Sequence, residues 1–128
     1  MYLDTDILLA LVKKEDWLKR HVNISKIASP KTSSLNVIEA RMVIQREYSK
    51  DKALKVSKEI NKLKIEIISI NKKIIDKSQD LLEKYDGLNN FDAVHAATAI
   101  IKNEMLISTD TIYNKIEEVN NIDPRKIS

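Results

Sequence analysis

The sequence predicts an α/β fold built on a parallel central sheet, and three observations carry that expectation. Short apolar or β-branched runs alternate with helical stretches along the whole chain. Several of these runs lead straight into Asp, Ser, Thr or Asn, the residues that start helices. Strand and helix in alternation imply right-handed crossovers, with helices covering both faces of the sheet. At 128 residues the chain has the length of one ordinary domain, with no internal repeat and no low-complexity segment, so a single domain over 1–128 is expected.

Taken in order, residues 1–3 read as a short buried strand and residues 7–13 as a helix entered through Asp4, Thr5 and Asp6. A second helical piece is expected over 15–21, with Trp17 and Leu18 on its apolar side. Pro30 and the serines after it break the pattern, and 31–33 reads as a strand. Leu35, Ile38, Met42 and Tyr48 then suggest the apolar stripe of a helix reaching Ser49. Ala53, Val56, Ile60 and Leu63 continue with another helix. Ile65, Ile67, Ile68 and Ile70 make a dense β-branched run, expected as a buried strand. Ile74, Ile75, Leu81, Leu82 and Tyr85 mark an amphipathic helix. Gly87, the only glycine, stands where a left-handed residue would close that helix. An alanine-rich helix over 91–102, a strand over 105–108, a helix over 111–119 and an edge strand near 122–125 complete the expectation.

Composition sets limits on function. Cysteine is absent, which excludes disulfides and thiolate metal sites and fits a reducing compartment. The formal charge of +3 suits a polyanionic partner without establishing one. The first twelve residues have no basic lead and are interrupted by two acids, so they are read as strand and helix rather than as a leader. No run approaches the roughly 18–20 apolar residues that cross a bilayer. A soluble, cytoplasmic protein with no membrane partner is the expectation.

Four acids stand at positions where chemistry collects. Asp4 and Asp110 follow predicted strands, which places both at the carboxyl edge of one parallel sheet. Glu39 and Asp92 are expected in the first turns of helices that begin at the same edge. Each has a plain structural explanation as a helix cap: Asp4 within Asp4-Thr5-Asp6, Glu39 three residues after Asn36, Asp92 three after Asn89, and Asp110 after Ser108-Thr109. As a set they would crowd carboxylates together, raising one another's pKa unless a cation intervenes. Hard oxygen donors favour Mg²⁺ or Mn²⁺, and no His/Cys set suits zinc. His95 lies one turn after Asp92; a hydrogen-bonded histidine at the rim is the expectation over a general base. Trp17, Tyr48 and Tyr85 are placed in the core or at an interface rather than as stacking platforms, and Arg46 shares the side of Glu39.

The segments Tyr2-Leu3-Asp4-Thr5-Asp6, Ser33-Ser34-Leu35-Asn36-Val37-Ile38-Glu39-Ala40, Leu88-Asn89-Asn90-Phe91-Asp92-Ala93-Val94-His95-Ala96-Ala97 and Leu106-Ile107-Ser108-Thr109-Asp110 occur in this order. In order, spacing and total length the sequence resembles the PIN-domain ribonucleases, particularly the toxins of prokaryotic VapBC toxin–antitoxin pairs. The resemblance implies a three-layer α/β/α sandwich with a central parallel sheet of about five short strands. It implies that Asp4, Glu39, Asp92 and Asp110 bind metal, with Asp4 and Asp92 the core ligands and Asp110 and Glu39 assisting. Ser108 matches the hydroxyl residue that commonly precedes the last acid. Asp6 falls where the family often has Asn or Ser; it is expected to cap the first helix, with the metal shell as the alternative. The implied activity is Mg²⁺- or Mn²⁺-dependent hydrolysis of RNA, the implied partners a small VapB-like antitoxin and a second copy in a homodimer. A housekeeping nuclease of RNA processing and a catalytically silent adaptor for RNA or protein are the competing readings.

Overall fold

The computed structural model describes residues 1–127. Five strands form one sheet: β1 (Tyr2–Leu3), β2 (Lys31–Ser33), β3 (Glu66–Ile68), β4 (Leu106–Ile107) and β5 (Asn121–Ile122). Their order is β3-β2-β1-β4-β5, and every pairing is parallel. Six α-helices intervene: α1 (Thr5–Val12), α2 (Ser34–Glu47), α3 (Lys50–Ala53), α4 (Val56–Lys62), α5 (Lys72–Lys84) and α6 (Asn90–Ile101). No helix among the described residues is long and apolar enough to cross a membrane.

The strands are only two or three residues long, so alternation assigns each side chain to a layer directly. Leu3 and Ile107 enter a core with Ile7 and Leu8 of α1, Val37, Ala40 and Ile44 of α2, and Val56 and Ile60 of α4. Tyr2 and Leu106, one residue earlier in their strands, face the opposite core with Ile74 and Leu81 of α5 and the alanines of α6. Ala93, Ala96 and Ala97 are fully buried; their small side chains let α6 lie close to the sheet and to α5. The α5–α6 turn uses Gly87 at φ 81°, beyond the Tyr85 cap, where a side chain would strain the backbone.

Winding explains where a site can form. From β1 the chain moves outward through β2 to β3 with α1–α4 on one face. It then returns across the sheet through α5 and α6 on the other face to pair β4 with the free side of β1. The strand order reverses between β1 and β4, and in sheets of this kind ligands bind beyond the carboxyl ends at such a reversal.

Several local expectations change. Residues 15–21 do not form one helix: Asp16 accepts a hydrogen bond from the Leu18 amide at 2.9 Å, and only a 3₁₀ turn over Lys19–His21 follows. Such a side-chain bond to the backbone competes with helix formation. Leu18 is buried as expected, but Trp17 is 63% exposed. Residues 53–63 divide between α3 and α4. β3 is an edge strand, with Ile67 partly exposed, rather than a buried one. Residues 111–119 give only a 3₁₀ helix over Thr111–Lys115; its Tyr113 is buried, and Ile116 and Val119 in the segment after it continue the burial at every third position. On α2 the expected stripe points outward: Ile38 is 43% and Met42 60% exposed, while Asn36, Val37, Ala40 and Ile44 face inward.

Candidate active site

Asp4 follows β1 directly and caps α1, its Oδ1 accepting the Thr5 amide at 2.8 Å. Its other oxygen, Oδ2, accepts the Ser108 hydroxyl at 2.7 Å. Ser108 is fully buried and its Oγ also accepts the Asp110 amide at 3.0 Å. One hydroxyl therefore joins the carboxylate after β1 to the backbone after β4, across the point where strand order reverses. Asp110 itself caps the following 3₁₀ helix through the Ile112 amide.

Asp92 stands in the first turn of α6, whose N-cap Asn89 accepts the Asp92 amide at 2.8 Å. Burial raises its carboxyl above the ordinary Asp range, and the charges of Asp110 and then Asp4 raise it further. The charges of Asp110 and Asp4 thus both reach the Asp92 carboxyl. Tyr113, which no sequence motif singles out, is buried beside the same three acids; burial and their charges hold its phenol protonated. Its position at i+3 from Asp110 is the only trace of that role in the sequence.

Asp6 lies in the first turn of α1; Asp4 is the N-cap residue, but Asp6 Oδ1 also accepts a first-turn amide, that of Ile7, at 2.9 Å. Its Oδ2 accepts both the amide (2.9 Å) and the hydroxyl (2.6 Å) of Thr109, fastening α1 to the β4 exit. Burial, with the Asp4 charge, pushes its carboxyl up to about 6 against the lowering effect of these bonds.

Glu39 is in the second turn of α2 rather than the first; the capping box there is closed by Ser33 and Asn36. Its Oε1 lies 2.5 Å from His95 Nε2. His95 is 2% exposed, so it belongs to the interior and not to a rim. Its Nδ1 is 3.1 Å from the Tyr2 hydroxyl, which donates to Asn36 Oδ1 at 2.5 Å. Asn36 in turn donates to Thr5 Oγ1 at 2.9 Å. Glu39 is held by this network through His95, and no direct contact joins it to Asp4, Asp92 or Asp110 among the described residues. Among the described residues no three His, Asp or Glu side chains are gathered into a ready-made metal cage. The donors present are all hard oxygens, the chemistry that Mg²⁺ and Mn²⁺ prefer when water and phosphate complete the shell.

The sequence model of the PIN domain family matches residues 1–119, and the chain belongs to that family. No curated protein sequence matches it. Among solved structures it is similar to the sarcin-ricin-loop-cleaving toxin VapC20 of Mycobacterium tuberculosis. That match has a TM-score of 0.77 and 15% identity, over 93% of this chain and 96% of that one. It is also similar to a toxin–antitoxin complex from Klebsiella pneumoniae, with TM-score 0.72 and 21% identity over 96% of both chains. VapBC2 from Rickettsia felis, bound to a DNA fragment from its promoter, matches with TM-score 0.73 and 19% identity over 95% of this chain and 96% of that one. At these identities the likeness is one of fold.

Proposed function

We propose that this protein is an endoribonuclease that hydrolyses RNA phosphodiester bonds with Mg²⁺ or Mn²⁺, and that it is the toxin of a type II toxin–antitoxin pair. The observation that carries the reading is the buried Ser108 hydroxyl that joins the Asp4 carboxylate to the Asp110 backbone at the reversal between β1 and β4, with both acids acting on the nearby Asp92 carboxyl. Membership of the PIN family and likeness in fold to a toxin and a toxin–antitoxin complex add to it. Asp4 and Asp92 are the core ligands, with Asp110 and Glu39 assisting. When bound, a divalent cation would acidify water and neutralise charge on the phosphoryl and departing oxygens.

The rest of the work falls to the chain. Ser108 and the Thr5 amide fix both oxygens of Asp4, so that carboxylate keeps one orientation as substrate arrives. His95 holds Glu39, and Asp6 ties the β4 exit to α1 so that Asp110 stays opposite Asp4. In the same reading a small antitoxin silences the enzyme, the chain is a single domain, and two copies form the active dimer in the cytoplasm.

The test is incubation with structured RNAs in Mn²⁺, Mg²⁺ or EDTA, beside Asp4→Asn and Asp92→Asn. Cleavage is expected with metal and is expected to vanish in EDTA and in both variants. Cleavage that survives EDTA, or both substitutions, overturns the reading. Millimolar Mn²⁺ should also raise the melting temperature of the unsubstituted protein, because the folded state alone gathers the carboxylates.

A further inference from the structure

Trp17 is the only tryptophan in the chain, and it stands well out of the surface. The Arg125 guanidinium lies 5.5 Å from its ring centroid. Arg20 borders Trp17 and also lines a recess of about 270 Å³ together with His21, Lys26, Arg125 and Pro124. The aromatic ring and the recess are therefore one continuous surface, built from the α1–β2 connection and the tail that follows β5.

Its charge is positive after local pairing is counted. Asp123 binds one side of Arg125, with Nη2 at 2.5 Å, and Lys13 lies 3.4 Å from Asp16 while pairing more closely, at 2.8 Å, with Glu47. The Lys19 ammonium is spent on the Ala10 and Lys13 carbonyls, and Glu15 is an exposed acid nearby. Arg20 and Lys26 make no ion pair among the described residues.

Without its cation the aspartate cluster repels phosphate, so cations elsewhere on the surface would hold a strand that the empty site does not. Surfaces that hold single strands combine cations for the backbone with an open aromatic face for a base. We propose that Trp17, Arg20, Lys26 and Arg125 form a docking surface for single-stranded RNA outside the acidic site. A base stacks on the indole, backed by Arg125, and the flanking phosphates lie along the recess. The choice of RNA as ligand rests on the ribonuclease reading; the binding is measured without cleavage.

The protein carrying Asp4→Asn is titrated in EDTA with a single-stranded oligoribonucleotide while the emission of Trp17 is followed. Saturable quenching that weakens with salt is expected. By anisotropy of labelled RNA, Trp17→Ala should weaken binding about tenfold or more. Arg20→Ala with Lys26→Ala should flatten the salt dependence by about 0.7 for each lost phosphate contact. Both sites are exposed, and circular dichroism confirms that the variants fold. RNA that the unsubstituted protein cleaves but that leaves Trp17 emission unchanged overturns the proposal. So does quenching by an acidic peptide and not by RNA, which would make the surface a protein contact. Quenching by RNA without cleavage by the unsubstituted protein leaves the docking surface standing and removes the nuclease reading.

Discussion

Replacing Ser108 by alanine tests the frame of the site without relying on its chemistry. The hydroxyl is fully buried, donates to the Asp4 carboxylate at 2.7 Å and accepts the Asp110 amide at 3.0 Å. A hydrogen bond to a charged group contributes about 1.5–3 kcal/mol, and a buried amide left without a partner costs about 1 kcal/mol more. Ser108→Ala is therefore expected to destabilise by about 3 kcal/mol, and the lost atom leaves too small a void to add much. With an unfolding entropy of about 2.1 cal/mol/K per residue, that is a fall of about 10 °C in melting temperature. Urea unfolding at pH 7 in EDTA, followed by far-UV circular dichroism, measures the free energy directly. Asp4→Asn and the double variant complete a cycle, in which the coupling between the two positions should exceed about 1 kcal/mol. A loss below about 0.5 kcal/mol, or strict additivity, would refute the claim that this hydroxyl ties the two strand ends together.

Two further outcomes follow from groups on either side of the sheet. His95→Leu should cost about 2–4 kcal/mol, because it strips the buried Tyr2 hydroxyl and Glu39 of a partner; Tyr2→Phe in that background should cost less than it does alone, read by the same unfolding experiment. Glu104 is held below the usual Glu range by the Lys31 ammonium at 2.6 Å and by the Met1 amino group. Its contribution is present above the unfolded Glu pKa and is lost as pH falls through the depressed folded value. Glu104→Gln should then cost up to about 1 kcal/mol at pH 7 and nothing near pH 2, and an equal cost at both would contradict the pairing.

The sequence was most informative where one residue does two jobs. Asp4 stands immediately beyond β1 and Asp110 three residues beyond β4, and in a parallel sheet those positions fix the edge they occupy. That each also caps a helix is compatible with a site, because each ionised carboxylate oxygen has two lone pairs: Asp4 keeps one on each oxygen beside its bonds from the Thr5 amide and Ser108, and Asp110 gives only Oδ1 to its cap. Sequence pattern is least informative where burial is decided by partners distant in sequence. Periodicity cannot tell which of two stripes on α2 faces the core: Ile38 and Met42 are as apolar as Val37 and Ile44, and only docking against α1 and α4 selects the latter. The inward stripe even contains Asn36, whose polarity is satisfied by Tyr2, Ser33 and Thr5, none of which a helical pattern could nominate. Trp17 misled for the opposite reason, since a large aromatic residue suggests the interior while its neighbours here leave the ring in water. Tyr113 was invisible because its role depends on three acids from three separate segments.

The buried chain from Thr5 through Asn36 and Tyr2 to His95 and Glu39 has a bearing on how such a sequence can drift. Each member is the required partner of the next, so a change at one position leaves an orphan at another. Exchanges there must be accepted in pairs, with an intermediate generation carrying the penalty. Surface lysines have no such constraint and are free to turn over one at a time. Between distant descendants of this chain, Tyr2 and Asn36 should therefore vary together or not at all, even though thirty-four positions separate them.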